Sequence, residues 1–282
     1  MNDYGKLLQD TFDGLVIKKL EPLGQGKAGI ICLVNGEIVF KIPLAKDGAI
    51  ALWQKNEGRV LKFLEGKLDV EIPRVLYEGT SPCGRHIIGE TLLSGVPFSY
   101  DLCDTYRRET QLDIQRQLGR IVRQLHDVGG HDFAWQPDMP PATLEERLAE
   151  FAENFSPQVR GMFTAKEVAQ IEAIGAQYRE ISIAHPVRPV LCHHDLHYFN
   201  LMVEPATQRI SGLLDFGCAS YSEPARDWHY YFDAQHVLAG YGDNGDVYFP
   251  QRQRFHALAH MLGCIGDGAM EYVGFVREYM LA

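Results

Sequence analysis

The run His193-His194-Asp195-Leu196-His197-Tyr198-Phe199-Asn200, followed by Leu214-Asp215-Phe216-Gly217, constrains this chain more than any other feature. Asp195 and Asn200 stand at the Asp-x-x-x-x-Asn spacing of a phosphoryl-transfer loop. In such a loop one carboxylate orients and deprotonates an attacking hydroxyl. An amide oxygen and a second carboxylate hold Mg²⁺ on a triphosphate. Asp215 lies fifteen positions beyond Asn200, so the chain must fold back to use it. Two apolar runs, Leu201-Met202-Val203 and Arg209-Ile210-Ser211-Gly212-Leu213-Leu214, flank the polar turn Glu204-Pro205-Ala206-Thr207-Gln208. That pattern predicts a hairpin. His193 reads as a loop brace. His194 and His197 read as ordinary loop residues, because zinc needs a third spaced ligand and none is evident.

A site for Mg²⁺ and a triphosphate needs a phosphate cradle upstream. Gly24, Gly26 and Gly29 fall within six residues, between two β-prone runs. Glycines let backbone N–H groups approach phosphate oxygens closely. This is no Walker A loop, because Gly26-Lys27 is followed by Ala28 instead of Ser or Thr. Asn35-Gly36 then predicts a tight turn into a third strand. That strand, Val39-Phe40-Lys41-Ile42, is apolar except for Lys41. A lysine there is either on the solvent face or paired internally. The helix expected over Ile50 to Glu65 carries one partner, Glu57, and near its end a rival, Glu65.

Composition bounds the rest. The 282 residues suffice for one large domain or two lobes sharing a cleft. No apolar run reaches the ~20 residues of a membrane span, and Met1 to Lys6 does not read as a signal peptide. Six scattered cysteines without a Cys-x-x-Cys suit reduced thiols in the cytoplasm. The net charge of −10 is uneven. Residues 1–94 hold 12 basic and 12 acidic side chains, residues 95–194 hold 10 and 14, and residues 195–282 hold 5 and 11. An acidic surface disfavours nucleic acid and suits a small cationic partner. The partner set expected is therefore a small-molecule hydroxyl acceptor, with no nucleic acid and no membrane, and a monomer or weak dimer.

The organisation is α+β. Residues 1–94 read as short strands plus one helix, ending on a strand over His86 to Leu93. Ser94-Gly95-Val96-Pro97 reads as a linker to a mainly helical second lobe, 95–282. There, Leu112, Leu118, Ile121, Val122 and Leu125 mark a long amphipathic helix stopped by Gly129-Gly130, and Pro137 to Pro141 a loop. Thr143-Leu144-Glu145-Glu146 and Thr164-Ala165-Lys166-Glu167 are capping boxes opening two more. Residues 225–240 and 251–281 read as helices.

Taken together, these residues resemble the aminoglycoside phosphotransferase family, whose fold is that of the protein kinases. The catalytic run is similar to the family's His-Gly-Asp-Leu-His-Pro-Gly-Asn. Leu118-Gly119-Arg120-Ile121-Val122-Arg123-Gln124-Leu125-His126 resembles its Leu-Gly-x-x-Leu-x-x-Leu-His helix. Phe40-Lys41-Ile42-Pro43 and Gly95-Val96-Pro97-Phe98 look most like the branch that modifies the 2″-hydroxyl of aminoglycosides. The resemblance implies a two-lobe fold and transfer of the γ-phosphate of ATP or GTP, with Mg²⁺, to a hydroxyl of an aminoglycoside. Asp195 would be the base, Asn200 and Asp215 the metal ligands, and Lys41 with Glu57 the phosphate contact. Gly24, Gly26 and Gly29 would line the phosphates, and backbone groups of Thr91 and Leu93 would meet the purine. Asp227 matches a family Asp near the catalytic loop, read as structural and also as one side of the acceptor site.

The chain departs from the family at His194, at Tyr198-Phe199 and at Cys218. The first two put bulk beside the base. His194, Tyr198, Asp227 and Asp233 are therefore the residues expected near the acceptor. The aromatic run Tyr230-Tyr231-Phe232 keeps a less polar acceptor open, as in macrolide, choline or homoserine kinases. A nucleotide-binding pseudokinase is the alternative of another class.

Overall fold

A computed structural model describes residues 2–26, 29–128, 142–228 and 234–280. It opens on α1 (Asn2–Thr11), a helix that the hydrophobic pattern does not announce. Tyr4, Leu7 and Leu8 are its only large apolar residues, too few for a clear helical period. Packing holds it instead. Leu8, with Phe12 and Leu15 beyond the helix, is buried against Val34, Phe40, Ile42 and Ile87 of a sheet. Phe12 meets Phe40 and Tyr77 with ring centroids 5.7 and 5.4 Å apart. Each such burial contributes about 1.5–3 kcal/mol, enough to fix a helix too short to persist alone.

The sheet is antiparallel, built from β1 (Leu20–Gly26), β2 (Gly29–Val34), β3 (Ile38–Ile42), β4 (Val75–Thr80) and β5 (His86–Thr91) in the order β1-β2-β3-β5-β4. Asn35 and Gly36 turn β2 into β3 with φ of 56° and 80°, the paired positive values of a two-residue hairpin. Strand alternation then sorts the faces. Phe40, Ile42 and Ile87 face α1. Lys41 and Glu90, the latter opposite Val39 in the ladder, face α2 (Gly48–Leu64). Asp47 starts that helix by accepting the N–H groups of Ala49 and Ile50 at 2.8 and 3.1 Å, two residues before the expected Ile50. β5 ends at Thr91 and not at Leu93, because its partner β3 begins opposite it at Ile38.

Residues 94–97 are more than a linker. Val96–Pro97 forms β6, an edge strand of a second sheet. Helices α3 (Tyr100–Thr105), α4 (Arg108–Val128), α5 (Leu144–Asn154), α6 (Pro157–Arg160) and α7 (Ala165–Ala184) follow. Both expected capping boxes form, Thr143 with Glu146 and Thr164 with Glu167. Next come β7 (Val190–Cys192), β8 (Leu201–Glu204), β9 (Arg209–Leu213) and β10 (Ser220–Ser222). β8 and β9 form the expected hairpin, and β10 closes on β7 around it. A 3-10 turn over Pro224–Asp227 leads towards α8 (Ala234–Tyr241), α9 (Phe249–Gly266), α10 (Glu271–Phe275) and a π turn over Val276–Met280. The single helix expected over 225–240 is thus divided. The Gly129-Gly130 stop, the 137–141 loop and the aromatic run at 230–232 lie outside the described residues.

Gly119 on α4 and Gly240 on α8 let these helices touch backbone to backbone. A Cβ at Gly119 would lie 2.0 Å from the Val237 carbonyl oxygen, and one at Gly240 1.9 Å from that of Arg116. Among the described residues, no helix is long and apolar enough to cross a membrane.

Candidate active site

Nested hairpins bring the singled-out residues together. The outer ladder pairs Ser220 with Cys192 and Ser222 with Val190, and the inner one pairs Leu201 with Leu213. Between them, Leu214 N–H donates to the Asn200 carbonyl at 2.9 Å, next to Asp215. The Asn200 side chain donates from Nδ2 to the Asp195 carbonyl at 2.8 Å and to its carboxylate Oδ2 at 3.1 Å. That use of the nitrogen leaves the amide oxygen as the atom to offer a cation. Asp215, with φ 66° and a half-exposed side chain, supplies a carboxylate. Two hard oxygen donors suit Mg²⁺, which takes few protein ligands and completes its shell with water.

The loop is braced from behind. His193 donates from Nε2 to the Leu214 carbonyl at 2.9 Å, and its Nδ1 accepts the Asp195 N–H at 3.2 Å. A neutral ring in one tautomer satisfies both bonds. His194 adopts φ 67°, the left-handed region where the related motif carries glycine, and its ring bonds Ser220 Oγ at 2.8 Å. Asp227 accepts the N–H groups of His193 and His194 at 2.9 and 2.7 Å and the His126 ring at 3.0 Å. His126 in turn bonds the Tyr241 hydroxyl at 2.8 Å. Burial opposes the charge on Asp227. The His126 hydrogen bond and the charges of His126 and His194 outweigh it and hold the carboxyl well below its usual range. Asp227 is buried with both oxygens engaged, so it has no face for an acceptor. This corrects its placement at the acceptor site and fits the structural reading.

Lys41 is paired internally. Its Nζ lies 2.5 Å from Glu57, 3.6 Å from Glu90 and 3.9 Å from Asp215. Glu65 instead caps the end of α2. Burial works against the Lys41 charge, but the Glu57, Glu90 and Asp215 carboxylates hold it above the ordinary lysine range. Burial, then the Glu90 charge, push Glu57 upward against the pull of Lys41. Glu57 also accepts the Phe216 N–H at 3.2 Å, and Asn56 beside it donates to the carbonyls of Gly217 and Ala219, both at 2.9 Å. Helix α2 thereby ties the lysine to the Asp-Phe-Gly segment. Sequence reasoning missed Glu90 and Asn56. Glu90 carries the same signal as Lys41, a charge inside an apolar strand.

Gly24 and Gly26 lie on β1 with nothing within 4 Å of an added Cβ, whereas one on Gly29, at φ 154°, would meet the Ile42 carbonyl oxygen at 2.1 Å. Only Gly29 is demanded by sterics; residues 27–28 at the tip are outside the described set. The Thr91 N–H bonds the Arg74 carbonyl at 3.0 Å, and the Thr91 hydroxyl accepts the Arg74 N–H at 3.0 Å. Leu93 is buried with its side chain over Gly212. Tyr198 packs edge-on against Phe98 and Tyr100, centroids 5.1 and 4.9 Å away. Phe199 is 50% exposed against Tyr100. Burial, then the charges of Asp195, Asp215 and Glu57, push the Cys218 thiol up to about 12, so it stays protonated beside them. Asp233 lies outside the described residues.

Residues 33–245 match the phosphotransferase enzyme family, APH. The chain belongs to that family. It is by family a phosphotransferase enzyme. Its fold is similar to that of the aminoglycoside phosphotransferase APH(2″)-IIIa in complex with GDP and kanamycin. The two are 19% identical, with 99% of this chain and 97% of the other covered and a TM-score of 0.79. It is similar as well to macrolide 2′-phosphotransferase MphH from Brachybacterium faecium, at 21% identity, 93% and 92% coverage and a TM-score of 0.66. A third likeness is to APH(3″)-Id from Streptomyces rimosus with ADP and streptomycin, at 18% identity, 93% and 98% coverage and a TM-score of 0.61.

Proposed function

We propose that the protein transfers the γ-phosphoryl group of Mg²⁺-bound ATP or GTP to a hydroxyl of an aminoglycoside. The cleft lies between a lobe of residues 1–94 and a lobe of residues 95–282. The observation that carries this reading is the meeting of Asp195, Asn200 and Asp215 across the nested hairpins, with Lys41 and Glu57 opposite. Asp195 orients the acceptor hydroxyl and takes its proton at a carboxylate oxygen. Lys41, steadied by Glu57, meets the phosphates. Glycines 24, 26 and 29 keep side chains out of their way. Asn200 and Asp215 would hold Mg²⁺, which would supply positive charge beside the phosphates. Lys41 already faces three carboxyl groups, so its one ammonium is shared and a bare triphosphate calls for a further cation. Positioning supplies most of the acceleration, with Asp227 holding the loop from behind.

The kanamycin, gentamicin and streptomycin complexes among the similar structures support an aminoglycoside acceptor, as does the net charge of −10. A second reading, a macrolide or another less polar acceptor, is favoured by Phe199 and Tyr100, aromatic and half-exposed beside the catalytic loop. Six free cysteines suit a cytoplasmic enzyme, acting as a monomer or weak dimer. The test is a nucleotide-consumption screen with ATP and GTP across aminoglycosides, macrolides and small amino alcohols. Turnover with an aminoglycoside alone supports the first reading. Turnover confined to macrolides selects the second, and none with any acceptor contradicts both.

A further inference from the structure

A cavity of about 370 Å³ opens between the end of α4, the stretch leading into β7 and the stretch before α9. That volume suits a small molecule. None of Lys41, Glu57, Asp195, Asn200 and Asp215 lines it, so the proposed transfer reaction leaves it unused. Its inner end is made by two buried residues, His126 and Tyr241. Both belong to the brace of the catalytic loop. Tyr241 bonds His126 at 2.8 Å, His126 bonds Asp227 at 3.0 Å, and Asp227 holds the N–H groups of His193 and His194. The cavity therefore lies behind the loop, with the brace between them.

The lining narrows what a ligand can be. Its carboxylates are already engaged. Asp127 accepts from Arg123 Nε at 2.8 Å, and Asp246 accepts from Arg252 Nε at 2.9 Å and from the Tyr248 N–H at 3.0 Å. Its donors are not exhausted. Arg123 is held by Asp127 and by the Asp243 carbonyl at 3.0 Å, and its guanidinium lies 5.5 Å over the Tyr241 ring. The Nη2 hydrogens of Arg123 meet no acceptor among the described residues. The Asn244 amide oxygen accepts the Asp246 N–H at 3.0 Å, which leaves the amide nitrogen to donate. Pro186, Val187 and Val247 add apolar wall, and Val247 is 80% exposed. A guanidinium held in place beside apolar surface suits an anionic head on an apolar body.

We propose that this cavity is a second binding site, separate from the phosphotransfer cleft, for a small organic anion. The head is a carboxylate or a phosphate monoester, met by Arg123 and Asn244. The body lies against Val187 and Val247. A ligand there also packs on Tyr241 and so bears on the brace that positions the catalytic loop.

The experiment is titration of the full-length protein with phenylacetate, phenyl phosphate and 2-phenylethylammonium, followed by amide NMR. Mg²⁺-ADP is kept in excess so that the phosphate probe does not enter the cleft. The expected result is saturable binding of at least one anion, about 10-fold or more tighter than the ammonium. The amides of residues 244–248 should shift most, and those of His193 and His194 should shift with them. Binding of phenylacetate alone assigns a carboxylate ligand, and binding of phenyl phosphate alone a phosphate. Arg123→Gln should weaken the anion about 10-fold or more. Val247→Glu sets a negative charge at an exposed position, where folding does not depend on the side chain, and should weaken it as well. Failure of both anions to bind overturns the proposal. So does equal binding of anions and ammonium, or anion binding unchanged in Val247→Glu. Binding that leaves the His193 and His194 amides unmoved overturns the link to the loop. Failure of ADP to bind counts against the nucleotide site alone, since the probe titrations and the variants judge this cavity by themselves.

Discussion

Lys41 is the side chain on which both halves of the site converge, with Glu57, Glu90 and Asp215 within 3.9 Å of its ammonium. Its charge is held by carboxylates whose own burial is tolerable only with that charge present. Removing either partner therefore harms more than a surface ion pair would. Lys41→Met is expected to lower kcat/KM for the donor by about 10²- to 10³-fold. Glu57→Gln should lower it less, in the same direction, and Glu65→Gln should match the parent. Steady-state kinetics with varied nucleotide checks this order. A Glu65→Gln defect as large as that of Glu57→Gln would contradict the pairing. His194 makes a different point at this scale. At φ 67° it occupies a position that glycine fills without strain. Histidine is among the residues that tolerate that region, and its ring gains the Ser220 bond.

At the scale of elements, the hairpin over 201–214 and both capping boxes were legible because each is local chemistry. Apolar runs flank a turn, and Ser/Thr-x-x-Glu closes on its own backbone. Lys41, Glu57, Asp195, Asn200 and Asp215 were legible as a set because their spacing is the one the proposed reaction calls for. What escaped depends on contacts distant in sequence. Helix α1 is fixed by Phe40 and Ile87, and β6 exists only because β8 lies beside it. Asn56 matters through carbonyls more than 160 positions away. Asp227 could be matched to the family, but its burial by His126 and two backbone donors could not be seen. The α4–α8 crossing is of the same kind, since nothing near Gly240 in sequence points to Arg116. Gly240→Ala should therefore cost about 1–3 kcal/mol by overpacking and lower the melting temperature by roughly 3–10 °C. Gly274→Ala, with open space around its Cβ, should leave it unchanged or slightly raised. Equal thermal effects for the two would contradict a backbone contact at the crossing.

Across the whole molecule, charge is organised by depth. The acidic surplus lies after residue 94, while inside the helical region a buried network joins distant elements. Glu223 accepts hydrogen bonds from Tyr178, His256 and, at 3.0 Å, Arg252, which also holds Asp246 at 2.9 Å. Burial raises the Glu223 pKa, but the His256 and Tyr178 bonds and the Arg147 charge bring it down to about 2. A carboxyl depressed in the folded state adds stability that is complete above its unfolded value of 4.5 and is lost as pH falls towards 2. Urea unfolding should show stability falling between pH 5 and pH 2. Glu223→Gln should be less stable at pH 7 and show a shallower fall. An equal slope in the variant would remove Glu223 from the account. The network lies in the same lobe as the nested hairpins, which assemble the proposed phosphotransfer site. Its most direct test is Mg²⁺-dependent phosphate transfer to the acceptor found in the screen. The phosphorylated product is measured by mass spectrometry for the parent and Asp195→Asn, with nucleotide affinity measured in parallel. The account predicts that Asp195→Asn loses at least about 10²-fold in transfer rate while binding nucleotide like the parent, and that chelating Mg²⁺ stops transfer in both. Transfer by Asp195→Asn at the parent rate would contradict it.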